Sequence, residues 1–303
     1  MLGKELKVKA SIIVFSPSGH TLKAAQVFKR ELENKNIGVQ LINITKNSKY
    51  LQSSQAERYL GEELDEHDVL LIGGPVYAGH IEKNILRLIE LLPEAGGKYG
   101  DLAVPFITYG GVHSSIALEE MGRYLKRKNR QSILGVKIAA EHTLTKTFAK
   151  VINGTKPGQL EEKIIADAVD RMISIAGRDD KKTKDAGKSF LYSKLSERIL
   201  YHIFSQEFFH KKFKDVNIDL QKCLKCKKCI EVCPVNMFDY VDGTVKMVRD
   251  KKECILCAEC YHECPADAIR NPYMEVARKR LKDGCAELEK EQSAIYPAAG
   301  DLF

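Results

Sequence analysis

Tryptophan is absent from the 303 residues, so no indole is available to stack on a planar ligand. Long apolar runs are absent as well. No stretch reaches the roughly 18 residues that a membrane-spanning helix needs, which excludes a transmembrane segment. The first ten residues place Lys4, Lys7 and Lys9 between apolar residues and lead straight into a strand pattern, so no export signal is read there. Without one, nine cysteines point to a reducing cytoplasm and to metal ligation, not to disulfides. The net charge of +7 is modest, and no nucleic-acid-binding motif accompanies it. What remains is a soluble, mixed-charge chain long enough for two domains.

Eight of the cysteines fall into one frame used twice: Cys223-x-x-Cys226-x-x-Cys229-x-x-x-Cys233-Pro234, and again Cys254-x-x-Cys257-x-x-Cys260-x-x-x-Cys264-Pro265. A pair of four-cysteine zinc sites is the competing reading. Zinc motifs usually place a longer loop between their C-x-x-C pairs, and they do not need a third cysteine two residues on. The spacing resembles that of the bacterial two-cluster ferredoxins. That resemblance implies one [4Fe–4S] cluster on Cys223, Cys226, Cys229 and Cys264. It implies a second on Cys254, Cys257, Cys260 and Cys233, because the fourth cysteine of each frame serves the other cluster. Cys285 lies outside both frames and reads as a free thiol in a helical tail. Lys222, Lys225, Lys227 and Lys228 crowd the first frame. They read either as a solvated surface or as a patch that steers an acidic redox partner and favours the reduced cluster.

The first half of the chain alternates strand and helix patterns. Strands are expected at 7–14, 37–44, 68–73, 102–108 and 133–140. Helices are expected after the first strand, at 54–61, through Ile85, Leu88 and Ile89, up to about residue 128, and at 159–176. This alternation predicts a doubly wound parallel sheet, with ligands beyond the carboxyl ends of its strands. Three glycine-containing loops fall there. The first, Ser16-Pro17-Ser18-Gly19-His20-Thr21, joins a buried strand to a helix N-terminus. Free backbone amides, the helix dipole and hydroxyl groups suit it to a phosphate. It is neither G-x-x-x-x-G-K-S/T nor G-x-G-x-x-G, so a phosphate monoester held by neutral donors fits best. The others are Gly74-Pro75-Val76-Tyr77-Ala78-Gly79-His80 and Thr108-Tyr109-Gly110-Gly111-Val112-His113. Each has a plainer reading too: Gly-Gly-Pro as a turn, the tyrosines as core aromatics, and His20, His80 and His113 as ordinary loop histidines.

Taken in order, the three loops resemble the flavin-binding loops of the flavodoxins over roughly residues 7–176. The resemblance implies FMN. Its phosphate would lie on Ser16, Ser18, Gly19, His20 and Thr21. Its ring would lie between Pro75, Val76, Tyr77, Ala78 and Gly79 on one side, and Thr108, Tyr109, Gly110, Gly111 and His113 on the other. Two features depart from the flavodoxin pattern: the chain has no tryptophan to stack on the flavin, and it is basic where flavodoxins are acidic.

The expected organisation is a flavodoxin-like domain with a five-stranded parallel sheet at 1–177, and a charged linker with an aromatic-rich helix at 178–214. A small α+β two-cluster ferredoxin domain follows at 215–275, then a helical tail at 276–303. The linker helix, with Leu191, Leu195, Ile199 and Ile203 four apart, is expected to pack between the domains. The whole resembles a family of bacterial and archaeal flavodoxin–ferredoxin fusions. It implies an FMN and iron–sulfur oxidoreductase of anaerobic metabolism, whose partner is an acidic ferredoxin or reductase and whose acceptor is a small molecule. A pure electron carrier is the alternative. Monomer and homodimer both remain open. If a substrate is reduced, His80, Tyr109 and His113 are the candidate proton donors.

Overall fold

A computed structural model describes residues 8–111, 114–177, 185–191, 198–199, 201, 206–213, 216–281 and 292–297. His113, Cys285 and most of the expected linker helix lie outside the described residues.

The N-terminal domain runs β1 (Lys9–Val14), α1 (His20–Glu33), β2 (Gly38–Asn43), α2 (Ser48–Leu51), α3 (Ala56–Glu63), β3 (His67–Tyr77), β4 (His80–Ile81), α4 (Lys83–Leu91), β5 (Tyr99–Tyr109), α5 (Ala117–Arg127), β6 (Gln131–Ser132), β7 (Gly135–Ala139) and α6 (Gln159–Ala176). The main strands lie in the order β2-β1-β3-β5-β7, all parallel. Counting these five alone, the order is 2-1-3-4-5, the flavodoxin-type doubly wound arrangement, with its reversal between the first and third strands. Ile12, Ile13, Leu70, Leu71 and Ile72 are fully buried because both faces of the central strands are covered. On one face α1 and α6 pack together through Ala24, Ala25, Phe28, Leu32, Ile165, Val169 and Met172. On the other face α3, α4 and α5 pack through Leu60, Ile85, Ile89, Met121 and Leu125.

Two expectations change at the ligand-bearing edge. Residues 74–77, expected in a loop, continue β3. They pair with β5 as far as Pro75 opposite Thr108, then turn back into β4 with Val76 opposite Ile81 and Tyr77 opposite His80. Ala78 (φ 52°) and Gly79 (φ 83°) make the two-residue turn that such a hairpin requires. Thr108 and Tyr109 likewise end β5 instead of starting a loop.

The C-terminal half holds α7 (Gln206–Lys212), β8 (Asn217–Ile218), α8 (Lys228–Val232), β9 (Phe238–Val241), β10 (Thr244–Met247), α9 (Glu259–His262), β11 (Ile269–Arg270), α10 (Pro272–Leu281) and β12 (Ala294–Tyr296). β9 and β10 form a hairpin across Asp242 (φ 51°) and Gly243 (φ 74°), and β8 pairs with β11. Of the tail, expected helical over 276–303, the described residues are helical up to Leu281, and 282–291 lie outside the described residues. Its residues 294–296 then return as a strand, antiparallel on β7, with Ile295 opposite Val136. The short apolar segment Ala294-Ile295-Tyr296 caps an otherwise open sheet edge.

The two halves share one core face: Val235, Met237, Phe238, Ile255, Leu256 and Cys257 belong to the same apolar cluster as Ile81, Ile85 and Met121. Polar bonds fix the join. The Lys46 backbone N–H donates to the Pro234 carbonyl (2.7 Å), and the Asn236 side-chain amide donates to the Lys46 carbonyl (3.1 Å). Gln52 Nε2 donates to the Val235 carbonyl (2.8 Å), and Lys83 Nζ donates to the Lys252 carbonyl (2.6 Å).

Candidate functional site

A cavity of about 670 Å³ opens at the carboxyl ends of β1, β3, β5 and β7. Its floor comes from the sheet-edge loops: Ser18 and His20, then Pro75–Gly79, then Thr108–Gly110, then 140–144. Its opposite wall comes from the C-terminal half, with Tyr201, Phe208, Lys212 and Phe213, then Ile255-Leu256-Cys257, then Tyr273, Val276 and Ala277. The cavity therefore joins the sheet edge to the second cysteine frame.

The first loop ends at Gly19, whose φ of 86° makes it the N-cap of α1. No side chain caps this N-terminus and no acidic residue lies in its first turn, so its electrostatics favour an anion. Ser16 and Thr21 turn inward. The Ser16 hydroxyl oxygen accepts from the Leu22 N–H (2.8 Å), and the Thr21 hydroxyl hydrogen-bonds the Thr108 hydroxyl (2.7 Å). Both residues are buried, and they brace the loop from behind while Ser18 and His20 face the cavity. Burial lowers the His20 pKa, so it stays neutral near pH 7.

In the second loop Gly79 has two reasons to be glycine. Its φ is 83°, and a Cβ would fall 2.5 Å from the Tyr201 ring. Burial pushes the Tyr77 phenol well up, so it is kept protonated. His80 does not line the cavity. The hairpin turns it inward, where Nδ1 meets Glu120 Oε1 (2.8 Å) and Nε2 meets the Tyr201 carbonyl (2.9 Å). Each ring nitrogen thus meets an oxygen. Glu120 Oε2 also accepts from the Ile81 N–H (3.1 Å). His80 thus clamps the hairpin and does not line the cavity. Beside it the Glu82 carboxylate accepts from the Asn84 backbone N–H (2.9 Å) and side-chain amide (3.0 Å). Full burial raises its pKa to about 7.

In the third loop Tyr109 lines the cavity and has Lys137 Nζ 5.4 Å from its ring centroid. A Cβ at Gly110 would sit 2.7 Å from the His142 ring. Gly111 does not line the cavity; its φ of 85° turns the chain against Asn153. Sequence reasoning missed the segment 140–144 with His142. The rule that ligands sit beyond the carboxyl ends of strands applies equally to β7 and would have found it. Of the wall, the aromatic-rich segment with Tyr201, Phe208 and Phe213 is expected between the domains, whereas Ile255, Leu256, Tyr273, Val276 and Ala277 carry no local signal.

The cysteines gather in two sets. Cys223, Cys226, Cys229 and Cys264 line one small cavity of about 20 Å³. Cys233 lies close enough to Cys254 and Cys260 to raise the pKa of each thiol. Burial pushes the Cys229 thiol up to about 11, and Cys257 and Cys260 well above their ordinary value. Thiolates in these positions need a cationic partner, which iron supplies. Among the described residues, no three Cys, His, Asp or Glu side chains are grouped to hold a single metal ion. Backbone N–H groups point at sulfur: Lys225 to Cys223 (3.4 Å), Met237 to Cys233 (3.2 Å) and Ala268 to Cys264 (3.2 Å). Such bonds stabilise negative charge on a cluster and raise its potential.

Residues 222–269 match the family described as a 4Fe-4S dicluster domain. No curated protein matches the sequence. Among solved structures the chain is similar to a flavodoxin from the domain Archaea, at 16% identity and TM-score 0.39, covering 56% of this chain and 99% of that one. It is similar to the apo form of an NADH:FMN oxidoreductase (EMOB), at 17% identity and TM-score 0.41, covering 63% and 98%. It is also similar to rubredoxin oxygen:oxidoreductase from Desulfovibrio gigas, at 14% and 0.40, covering 55% of this chain and only 36% of that one. The N-terminal fold is read from the strand order itself. With that order on one side and the dicluster match on the other, the chain is a fusion of a flavodoxin-like domain with an iron–sulfur, ferredoxin-type domain.

Proposed function

We propose that the protein is an FMN- and iron–sulfur-dependent oxidoreductase that passes electrons between two [4Fe–4S] clusters and FMN, and on to a small acceptor. When bound, FMN exchanges one or two electrons and each cluster exchanges one, so together they connect a one-electron carrier to a two-electron reaction. The observation that carries this reading is the shared cavity. The same space touches the phosphate-type loop, both ring-flanking segments and Cys257.

Each segment of the chain then has a task. The uncapped N-terminus of α1, with Ser18 and His20, binds the phosphate. Pro75–Gly79 and Thr108–Gly110 orient the ring. Cys223, Cys226, Cys229 and Cys264 hold one cluster, and Cys254, Cys257, Cys260 and Cys233 the other. Ile255 and Leu256 line the cavity beside Cys257 and exclude water from around it. Tyr109 and His142 are the groups placed to hold a proton there. The aromatic wall of Tyr201, Phe208, Phe213 and Tyr273, with Lys212, favours the enzyme over a pure carrier, because it extends the cavity past the sheet-edge loops.

The test is anaerobic purification with iron, sulfide and acid-released flavin assays. About eight irons and about one FMN per chain are expected. Full iron with no flavin, even after FMN is added, would defeat the reading of the N-terminal half. Full cofactor content without turnover of any small acceptor would favour the carrier.

A further inference from the structure

The two cysteine frames have the same backbone but opposite surroundings. Lys225 (φ 56°) corresponds to Leu256 (φ 56°), and Lys227 (φ 63°) to Ala258 (φ 65°), each pair 31 positions apart. In the second frame Ile255, Leu256, Cys257 and Ala258 are all buried, three of them in the cavity wall. In the first frame the same positions are Leu224, Lys225, Cys226 and Lys227, and all four are exposed. Leu224 is 68% exposed and nearby Leu220 60%, so two apolar side chains stand open beside the loop. Thus one loop presses a cysteine and an apolar flank against the body of the protein, while its twin presents a cysteine and an apolar flank to solvent.

The charges around the outward loop are unbalanced. Lys228 pairs with Glu231 (3.0 Å), and the Asp219 carboxylate is occupied by the Gln221 and Lys222 backbone N–H groups. Lys227 lies 4.2 Å from the centroid of the Tyr240 ring. Among the described residues no carboxylate pairs with Lys222, Lys225 or Lys227.

We infer that this face, Leu220, Leu224 and Cys226 rimmed by Lys222, Lys225 and Lys227, docks a small acidic protein that carries a one-electron centre. On the electron-transfer reading, the inward loop brings a cysteine sulfur to the edge of a second redox site. In the outward copy, lysines stand where Leu256 and Ala258 make a permanent joint. A few apolar contacts inside a charged rim give fast, salt-sensitive and reversible association. The inference rests on the electron-transfer reading above, and it makes the Cys223 frame the external port and the Cys254 frame the internal one.

The experiment uses the full-length holoprotein and two reductants: a purified acidic bacterial ferredoxin reduced with dithionite, and reduced methyl viologen, a small cation. Stopped-flow absorbance follows reduction of the protein by each, across ionic strength. For the wild type the ferredoxin rate constant should fall as salt rises. In the triple variant Lys222→Glu, Lys225→Glu, Lys227→Glu it should drop roughly ten-fold or more at low salt and lose its salt dependence. The viologen rate should stay equal or rise, with iron content and visible spectrum as in the wild type. Leu224→Ser should weaken saturation by ferredoxin while leaving the viologen rate unchanged. An unchanged ferredoxin rate in the triple variant would overturn the docking face and leave the relay standing. A wild-type protein that viologen cannot reduce would overturn the relay and the docking face together.

Discussion

The Glu82→Gln substitution should abolish a pH dependence of stability that the structure assigns to one side chain. Glu82 is 0% exposed, and its carboxylate accepts only from Asn84 among the bonds described. Burial raises its pKa from 4.5 to about 7. The folded state therefore holds the proton more tightly than the unfolded chain. Its contribution is harmless below pH 4.5. Stability is then lost as pH rises from there through about 7, and the full cost is in place above it. At about 1.4 kcal/mol per pK unit the full cost is about 3 kcal/mol, of which about 2 kcal/mol accrues between pH 5.5 and 8. Glutamine keeps an oxygen to accept from the Asn84 N–H and has no charge to desolvate. The assay is urea denaturation followed by circular dichroism at pH 5.5 and 8, because the chain has no tryptophan to report by fluorescence. Taking the variant minus the wild type at each pH cancels the other carboxylates and any acid lability of the clusters. The variant should gain about 2 kcal/mol on the wild type as pH goes from 5.5 to 8. A difference that does not change with pH would mean that Glu82 titrates normally and that its burial is not what the structure implies.

Three further outcomes bear on the site. Gly79→Ala meets the Tyr201 ring at 2.5 Å and a φ of 83°, so it should cost about 1–2 kcal/mol and lower the flavin-to-iron ratio while leaving iron content intact; equal flavin content would show that the turn does not shape the cavity. His80→Ala breaks the buried pair with Glu120 and should destabilise by about 3 kcal/mol. It should leave the pH profile of acceptor reduction unmoved, whereas Tyr109→Phe should shift that profile; a shifted profile in the histidine variant would restore His80 to the chemistry. Cys226→Ser and Cys257→Ser should each cut iron by about half. Of the two, only Cys257→Ser should also perturb the flavin absorption band, since Cys257 alone lines the cavity.

The sequence was most legible where the physics is local. The pattern of Leu160, Ile164, Ile165, Ala168 and Met172 placed a helix at 159–176, where α6 runs from Gln159 to Ala176. The buried runs of β1, β3 and β5 and the alternation around them were enough for the parallel sheet. An Asp-Gly dipeptide such as Asp242-Gly243 is a hairpin signal readable in sequence, and both residues adopt the positive φ such a turn requires. Legibility failed where a residue's neighbours are far away in sequence. His80 sits beside a ligand-type loop, and only Glu120, forty positions on, reveals that it turns inward. The return of Ala294–Tyr296 to β7 depends on an open sheet edge more than 150 positions earlier, which no periodicity records. The cavity wall is the largest case: Ile255 and Leu256 look like ordinary spacers between cysteines until the fold sets them in one cavity with Tyr77.

That wall bears on how the fused domains divide their work. On the proposed reading, a flavin held in the cavity would share it with Ile255, Leu256 and Cys257, which line its wall. On the same reading, that wall would keep a diffusing protein from the cavity and leave the cysteine frames as the route for electrons from a carrier protein. Those frames differ in the way this demands, with Cys257 buried against the cavity and Cys226 exposed among lysines. A small acceptor meets a different boundary, the flank formed by Tyr201, Phe208, Lys212 and Tyr273. On the proposed reading, aromatic rings there would suit a planar apolar group and the lysine an anionic substituent. Donor and acceptor then enter by separate routes, and neither need leave before the other binds. Competition between them is the signature to look for. Once the acceptor is saturating, raising its concentration further should leave the half-saturating concentration of an acidic ferredoxin unchanged, whereas a single shared entrance would make it go on rising in proportion.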